Sequence, residues 1–147
     1  MSNSPPFLFE RLTKPRQVGK VSVNEKLVWQ RKGEKMASKV FVILSSGDRE
    51  VALEVGLVYP LNAKTKGWMD EVKVIIFGPS EKIAAYDMEV QGRLKELQKA
   101  GVEVMACKWC ADRMNIAGVL EEAGIPVVYV GSIISDLLKD GWASLTF

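Results

Sequence analysis

Histidine is absent from the sequence, and only two cysteines occur among its 147 residues. Without an imidazole, the Ser-His-Asp and Cys-His forms of catalysis and the usual histidine-containing zinc sites are excluded. Two thiols are too few for a disulfide-stabilised scaffold, and they cannot complete a structural zinc site within one chain. We therefore expect no metal site and no organic cofactor, and proton transfer must use carboxylates, lysines, tyrosines or the thiols.

Long apolar runs are also missing. No run approaches the roughly 18 residues that a membrane-spanning helix requires, and the short Phe7–Phe9 run lies between Pro6 and Glu10 rather than in a secretory signal. The composition, with 48% hydrophobic and 26% charged residues, is that of a globular protein with one well-buried core. The sequence therefore predicts a cytoplasmic protein with no membrane partner.

Charge is nearly balanced over the whole chain but is unevenly distributed. Residues 1–39 carry nine Lys/Arg and three Asp/Glu, a net charge of +6, whereas residues 40–147 carry eleven and fifteen, a net charge of −4. Such a basic segment can contact nucleic acid or a membrane surface, and it can equally lie against its own domain or a neighbouring subunit. No recognised nucleic-acid motif accompanies it, so we do not expect a nucleic-acid partner.

Short apolar segments alternate with helical segments along most of the chain. The apolar segments are uninterrupted and rich in β-branched residues, a pattern typical of strands covered on both faces. The alternation calls for right-handed crossovers and predicts a single doubly wound α/β domain, with a five-stranded, mainly parallel sheet flanked by helices on both faces. The predicted strands are Val40–Leu44, Val72–Phe77, Val102–Ala106, Val127–Val130 and Ala143–Phe147.

Four helices are predicted between the strands. The first begins near Asp48, and Pro60 is expected to kink it or end it early. Val51, Val55 and Val58 form its predicted buried face. The second predicted helix carries Val90, Leu94 and Leu97 and stops at Gly101. The third is predicted from about Cys110 to Ala123, and the fourth from Ser132 to just before Gly141.

The first part of the chain does not follow this alternation. We assign residues 1–37 to a basic N-terminal extension and residues 38–147 to the α/β domain. Met36 directly precedes the first predicted strand, so one hypothesis is that the working protein begins there. An intact mass of the natively expressed protein that begins at Met1 would contradict this hypothesis.

Candidate binding groups follow the predicted strands, because ligands of open parallel sheets bind at the carboxyl ends of the strands. Loops at helix starts can cradle an anion through their backbone N–H groups. These loops lack the Walker lysine and the repeated glycines of dinucleotide sites, so a tight turn with a helix cap is the favoured alternative. The candidate anion-binding residues of the first two loops are Ser45, Ser46, Gly47, Gly78 and Ser80.

The two cysteines lie on the same predicted edge. Cys107 ends the third strand, and Cys110 begins the helix that follows. A thiol at a helix N-terminus meets unpaired N–H groups that stabilise its thiolate, so we expect a lowered pKa and a reactive Cys107. Lys108, Trp109 and Arg113 are candidate substrate-binding neighbours. The alternative is that both cysteines are packed as small apolar side chains.

Cys107 and Cys110 also form a C-x-x-C sequence at a strand-to-helix junction, which is a known redox signature. The thioredoxin type has its tryptophan just before the first cysteine, whereas Trp109 lies between the two here. A dithiol role therefore stays open beside a single-cysteine role.

From about Ser38 to Phe147 the sequence resembles the DsrE/DsrF-like sulfur-relay family, which includes the TusD-type subunits. The resemblance depends on the segments Val40–Gly47, Gly101–Cys107 and Ile133–Phe147. It implies a small parallel α/β domain that assembles into dimers, trimers or hexamers. It also implies that Cys107 carries sulfur as a persulfide. Cys110, Pro60 and the N-terminal extension depart from the family pattern.

Three functions follow as hypotheses. The first is a sulfur carrier that receives sulfane sulfur or a thiosulfonate group on Cys107 and passes it to an acceptor thiol. Its partners would be sulfur donor and acceptor proteins or small sulfur species, within a homo-oligomer. The second is a redox protein in which Cys107 attacks and Cys110 resolves. The third is a non-catalytic oligomeric subunit whose thiols react slowly with alkylating reagents.

Overall fold

The computed structural model describes residues 37–147. These residues form a five-stranded sheet in the order β4-β3-β2-β1-β5, and every neighbouring pair of strands is parallel. The predicted α/β fold is therefore confirmed, with a sheet that is wholly rather than mainly parallel. The strands are β1 (Lys39–Leu44), β2 (Glu71–Ile76), β3 (Glu103–Cys107), β4 (Val127–Val128) and β5 (Ala143–Thr146).

Six α-helices and one π-helix connect the strands within residues 37–147. None of them is long and apolar enough to cross a membrane. The proposed extension and the proposed start at Met36 lie outside the described residues, apart from Ala37. The helices are the π-helix Val51–Gly56, α1 (Val58–Thr65), α2 (Ser80–Tyr86), α3 (Met88–Lys99), α4 (Lys108–Met114), α5 (Ala117–Glu122) and α6 (Val130–Lys139).

The strands bury apolar side chains on both faces, because alternate residues of a strand point to opposite sides of the sheet. Val42 and Val74 belong to the larger core cluster, which includes residues of the π-helix and of α1, α3 and α5. Phe41, Ile75 and Cys107 belong to a second cluster on the other face, together with residues of α6. Cys107 is therefore part of a packed core as well as the end of a strand.

The predicted buried face of the first helix is wrong. Val55 is 45% exposed, whereas Ala52 and Leu53 are buried. The cause is the π-type register, in which the Leu57 N–H donates to the carbonyl of Ala52, five residues earlier, at 3.0 Å. A π turn rotates the following residues away from the positions that a 3.6-residue period gives.

Two features lie beside this π turn. A Cβ at Gly56 would lie 2.6 Å from Leu44 Cδ1, so any larger residue there would force the Leu44 side chain to move. Pro60 lies in the first turn of α1, where its missing N–H has no helical partner to lose. The first helix does end early, as predicted, at Gly56, but a new helix begins at Val58 and includes Pro60.

The prediction of one continuous third helix is also wrong, because the structure has two helices there, α4 and α5. Asn115 separates α4 from α5 with a left-handed φ of 55°, a conformation that asparagine tolerates better than most residues. Helix α2 was not predicted. Helix α3 follows its prediction, since Val90, Leu94 and Leu97 are buried and Gly101 lies beyond its end with a φ of 86°.

Candidate functional site

Cys107 and Cys110 lie at the carboxyl edge of the sheet. Strand β3 runs directly into α4, and Cys107 forms the junction with extended backbone angles, φ −74° and ψ 114°. Both thiols are free. Cys107 is 4% exposed and Cys110 is 8% exposed, so both side chains lie almost wholly within the protein.

The third member of the site is Glu81, a fully buried glutamate in the first turn of α2. Its Oε1 accepts a hydrogen bond from the Cys107 backbone N–H at 3.0 Å. Its Oε2 has no hydrogen-bond partner among residues 37–147. One carboxylate oxygen and the sulfur atoms of Cys107 and Cys110 all lie within 4.8 Å of one another.

The turn after β2 directs Glu81 into this position. Gly78 has a φ of 77°, a left-handed conformation that favours glycine, and it allows the chain to reverse into α2. Ser80 is fully buried and donates its hydroxyl to the carbonyl of Leu44 at the end of β1. This bond ties the start of α2 to the sheet edge, one residue before Glu81.

Burial controls the acidity of the site. It raises the pKa of Glu81 from 4.5 to about 7, and the hydrogen bond from the Cys107 N–H opposes the shift only in part. Burial also raises the pKa of the Cys110 thiol to about 11, with the neighbouring Cys107 adding to the effect. For Cys110, desolvation and nearby acidic groups therefore outweigh any stabilisation of the thiolate by the seven-residue helix α4.

The predicted neighbours divide into two sets. Trp109 and Arg113 lie together, with the guanidinium 4.6 Å from the centre of the ring. Lys108 instead pairs with Asp112 at 3.1 Å on the exposed side of α4. Arg113 and Trp109 contribute to a pocket of about 230 Å³ that reaches Cys110, and the residues lining it are Gly78, Pro79, Lys82, Trp109, Cys110, Arg113 and Met114.

The donors of the first predicted anion-binding loop form hydrogen bonds within the protein. The backbone N–H groups of Ser45 and Ser46 both donate to the main-chain oxygen of Phe147, at 2.7 and 3.0 Å, and the Ser45 hydroxyl donates to the same oxygen. Gly47 packs against the next loop, since a Cβ there would lie 3.2 Å from Pro79 Cβ. The N–H groups of Ser45 and Ser46 and the hydroxyls of Ser45 and Ser80 thus donate to main-chain oxygens, whereas the Ser46 hydroxyl accepts from the Asp48 N–H.

Sequence reasoning missed Glu81. An acidic residue in the first turn of a helix is normally explained by the helix dipole and is expected to face water. The only signal in the sequence is its position shortly after a strand that ends beside β3, on the same edge as the cysteines. Glu81, Cys107 and Cys110 supply three possible metal ligands, one fewer than the four protein ligands of a structural zinc site.

The fold and the buried thiol pair define a small parallel α/β protein whose candidate chemistry is that of cysteine. The family model described as DsrE/DsrF-like matches residues 38–147. The chain belongs to this family, which is linked to sulfur relay in general. Comparison with curated protein sequences gave no match.

Solved structures share this fold. A conserved protein of unknown function from Bacteroides thetaiotaomicron, BT1422, is 27% identical, with 75% of this chain and 95% of that chain covered and a TM-score of 0.71. The YchN protein of E. coli is 15% identical, with 75% and 99% covered and a TM-score of 0.64. MTH1491 of Methanobacterium thermoautotrophicum, of unknown function, is 21% identical, with 76% and 100% covered and a TM-score of 0.62.

Proposed function

We propose that the protein is a sulfur carrier that holds sulfane sulfur on Cys107. The observation that carries the proposal is the position of Cys107 at the β3–α4 junction of a DsrE/DsrF-like domain, beside a second thiol and a buried carboxylate. The absence of histidine is compatible with this chemistry, which requires no imidazole, metal or organic cofactor.

The transfer step is a thiol exchange. The Cys107 thiolate attacks the outer sulfur of a donor persulfide, the donor S–S bond breaks, and the donor thiolate leaves. Cys107 then holds a persulfide, which an acceptor thiolate removes by the same reaction. With tetrathionate as donor, thiosulfate leaves and Cys107 holds a thiosulfonate group. Neither loading step needs a further oxidant or reductant.

The pocket beside Cys110 supports an anionic donor. Its wall includes the apolar ring of Trp109, which is 57% exposed, and the cationic side chains of Lys82 and Arg113. Cations attract sulfur anions such as persulfides, thiosulfate and tetrathionate. Lys108 would add positive charge at the outer surface of α4, although Asp112 offsets it.

A homo-oligomer in the cytoplasm, serving sulfur donor and acceptor proteins, completes the proposal. Exposed apolar side chains on the described domain, Tyr129, Leu138 and Leu145, are compatible with contacts between subunits. Light scattering should give the mass of a dimer, trimer or hexamer. A monomer mass would remove this part of the proposal.

Intact mass spectrometry tests the carrier role. Reduced full-length protein is incubated with inorganic polysulfide, thiosulfate or tetrathionate, in parallel with Cys107→Ser and Cys110→Ser variants. We expect an adduct that forms in the wild type at early times, persists in Cys110→Ser, is lost in Cys107→Ser, and is removed by a reductant or passed to an acceptor thiol. An adduct that survives in Cys107→Ser contradicts the proposal.

A second candidate is a dithiol redox protein, which the proximity of the two sulfur atoms favours. It predicts that a mild oxidant closes an internal disulfide that requires both cysteines, without prior sulfur loading. The burial of both thiols is compatible with the third hypothesis, a non-catalytic subunit. If neither an adduct nor a disulfide forms and alkylation is slow, that hypothesis replaces the other two.

A further inference from the structure

Two buried groups have no role in simple sulfur carriage. One thiol is enough to carry a sulfur atom, yet Cys110 lies beside Cys107 in the same core cluster. Glu81 is also fully buried, and one of its oxygens has no partner within residues 37–147. Burial of an unpaired polar atom lowers stability, so packing alone does not explain this carboxylate.

The geometry links these groups to each other. The Cys107 N–H fixes one carboxylate oxygen of Glu81 at 3.0 Å, and a carboxylate oxygen lies within 4.8 Å of both sulfur atoms. The two sulfur atoms are separated by no more than the same distance. Closing a disulfide at about 2.05 Å therefore requires a movement of less than about 3 Å.

We infer that Cys110 discharges the Cys107 persulfide as hydrosulfide, with Glu81 accepting the Cys110 proton. This inference rests on the sulfur-carrier proposal and adds a sulfide-releasing activity to it. Cys110 Sγ attacks Cys107 Sγ, the bond from Cys107 to the outer sulfur breaks, and hydrosulfide leaves with the bonding electron pair. The outer sulfur is reduced, the thiol pair is oxidised to a disulfide, and an external dithiol must reopen that disulfide before the next cycle.

The acidities of the groups fit these roles. Because burial raises the pKa of Cys110 to about 11, its thiol is protonated at neutral pH and needs a base in order to attack. Burial raises the pKa of Glu81 to about 7, so the carboxylate becomes available as pH rises through neutrality. Lys82 and Arg113, which line the adjacent pocket, are cations that would attract the departing hydrosulfide.

Sulfide release after loading tests the inference. Reduced full-length protein is loaded with inorganic polysulfide and freed of excess reagent, and hydrosulfide and intact mass are then followed with time. Wild type should release hydrosulfide, and its mass should fall from that of the loaded protein by one sulfur and two hydrogens, ending two hydrogens below the reduced protein as the disulfide closes. Cys110→Ser and Cys110→Ala should keep the added sulfur atom. Glu81→Gln should load normally but release about 100-fold more slowly.

A pH profile separates proton transfer from a structural effect. The release rate of the wild type should rise through about pH 7 as Glu81 loses its proton, and Glu81→Gln should lack this rise. Glu122→Gln, at an exposed position on α5, is the matched control and should behave as wild type. If Glu81→Gln folds poorly by circular dichroism, Glu81→Asp keeps a carboxylate and should keep the pH-dependent rise.

The outcomes separate failure of sulfide release from failure of sulfur carriage. Release from Cys110→Ser at the wild-type rate overturns the inference and leaves sulfur carriage intact. Wild-type rates and pH profiles in correctly folded Glu81→Gln overturn the role of Glu81. Failure of both wild type and Cys110→Ser to acquire sulfur overturns the carrier proposal itself, and the inference with it.

Discussion

At the amino end of the sheet, Glu71 and Glu103 are exposed and pair with lysines from neighbouring strands. Glu71 pairs with Lys39 at 2.8 Å, and Glu103 pairs with Lys73. At the carboxyl end, Glu81 is fully buried and lies beside two thiols, with a backbone N–H as its hydrogen-bond donor. Glutamate is therefore exposed to solvent and paired with a lysine at the amino end of the sheet. At the carboxyl end it is buried beside two thiols.

The exposed glutamates at the amino end have little effect on stability, whereas the buried Glu81 lowers it. Exposed ion pairs contribute at most about 1 kcal/mol, and their loss changes little. A buried carboxylate that ionises near neutral pH is a liability for folding, and perturbed groups of this kind cluster at functional sites. This contrast therefore makes the carboxyl end of the sheet the candidate site for chemistry.

The largest expected effect is on the pH dependence of stability. The pKa of Glu81 is raised from 4.5 to about 7 in the folded protein, so the folded state holds the proton more tightly than the unfolded state. Its contribution is fully present below about pH 4.5 and is lost as pH rises to about 7, a loss of roughly 2.5 kcal/mol between about pH 5 and pH 8. Glu81→Gln should remove this loss, because an amide does not titrate.

Urea unfolding of both proteins at the two pH values measures this effect. Glu103→Gln, at the exposed end of the sheet, is the control and should keep the wild-type pH dependence. An unchanged pH dependence in Glu81→Gln would mean that Glu81 is not desolvated, and the contrast between the two ends would disappear.

A smaller effect is expected at Ser80. Its buried hydroxyl donates to the Leu44 carbonyl and holds α2 against the sheet edge, so Ser80→Ala should lower the free energy of unfolding by about 1–2 kcal/mol. Ser135→Ala is the matched control, because the Ser135 hydroxyl also donates to a main-chain carbonyl, that of Gly131, but at an exposed position. Equal losses in the two variants would show that burial does not govern this bond.

The next effect is on thiol reactivity. In Cys107→Ser, the remaining Cys110 should react with iodoacetamide at least about tenfold more slowly than an exposed thiol at neutral pH, because its raised pKa leaves little thiolate. The rate should rise as pH increases above neutrality, because burial, the largest cause of the raised pKa of Cys110, remains in this variant. The comparison thiol is made by Glu71→Cys in a background that also carries Cys107→Ser and Cys110→Ser. Equal rates would place Cys110 in contact with solvent and contradict its burial.

Much of the fold could be predicted because the signals were local. Uninterrupted β-branched runs gave the five strands, and Gly101 marked the end of α3 with the left-handed φ that glycine favours. The position of Cys107 at the end of β3 followed from the same strand pattern.

The remaining features depend on contacts that are distant in sequence. The π-helix brings Gly56 close to Leu44, a contact that the periodicity of the sequence does not predict. The burial of Glu81 depends on β2 ending beside β3, since a first-turn glutamate is otherwise expected to face water. The hydrogen bonds from the Ser45 and Ser46 N–H groups depend on the residue after β5, Phe147, placing its main-chain oxygen beside them.

The smallest expected effect concerns the ion pair between Lys73 and Glu103. Lys73 also lies 5.4 Å from the ring centre of Trp142, so Lys73→Met removes two interactions and a double-mutant cycle with Glu103→Gln is needed to isolate the pair. The coupling energy should be below about 1 kcal/mol and should fall as salt is added, because Glu103 is exposed. A coupling that is larger and insensitive to salt would mean that the amino end also holds a desolvated charge. Burial of Glu81 would then no longer distinguish the thiol-bearing edge from the rest of the sheet.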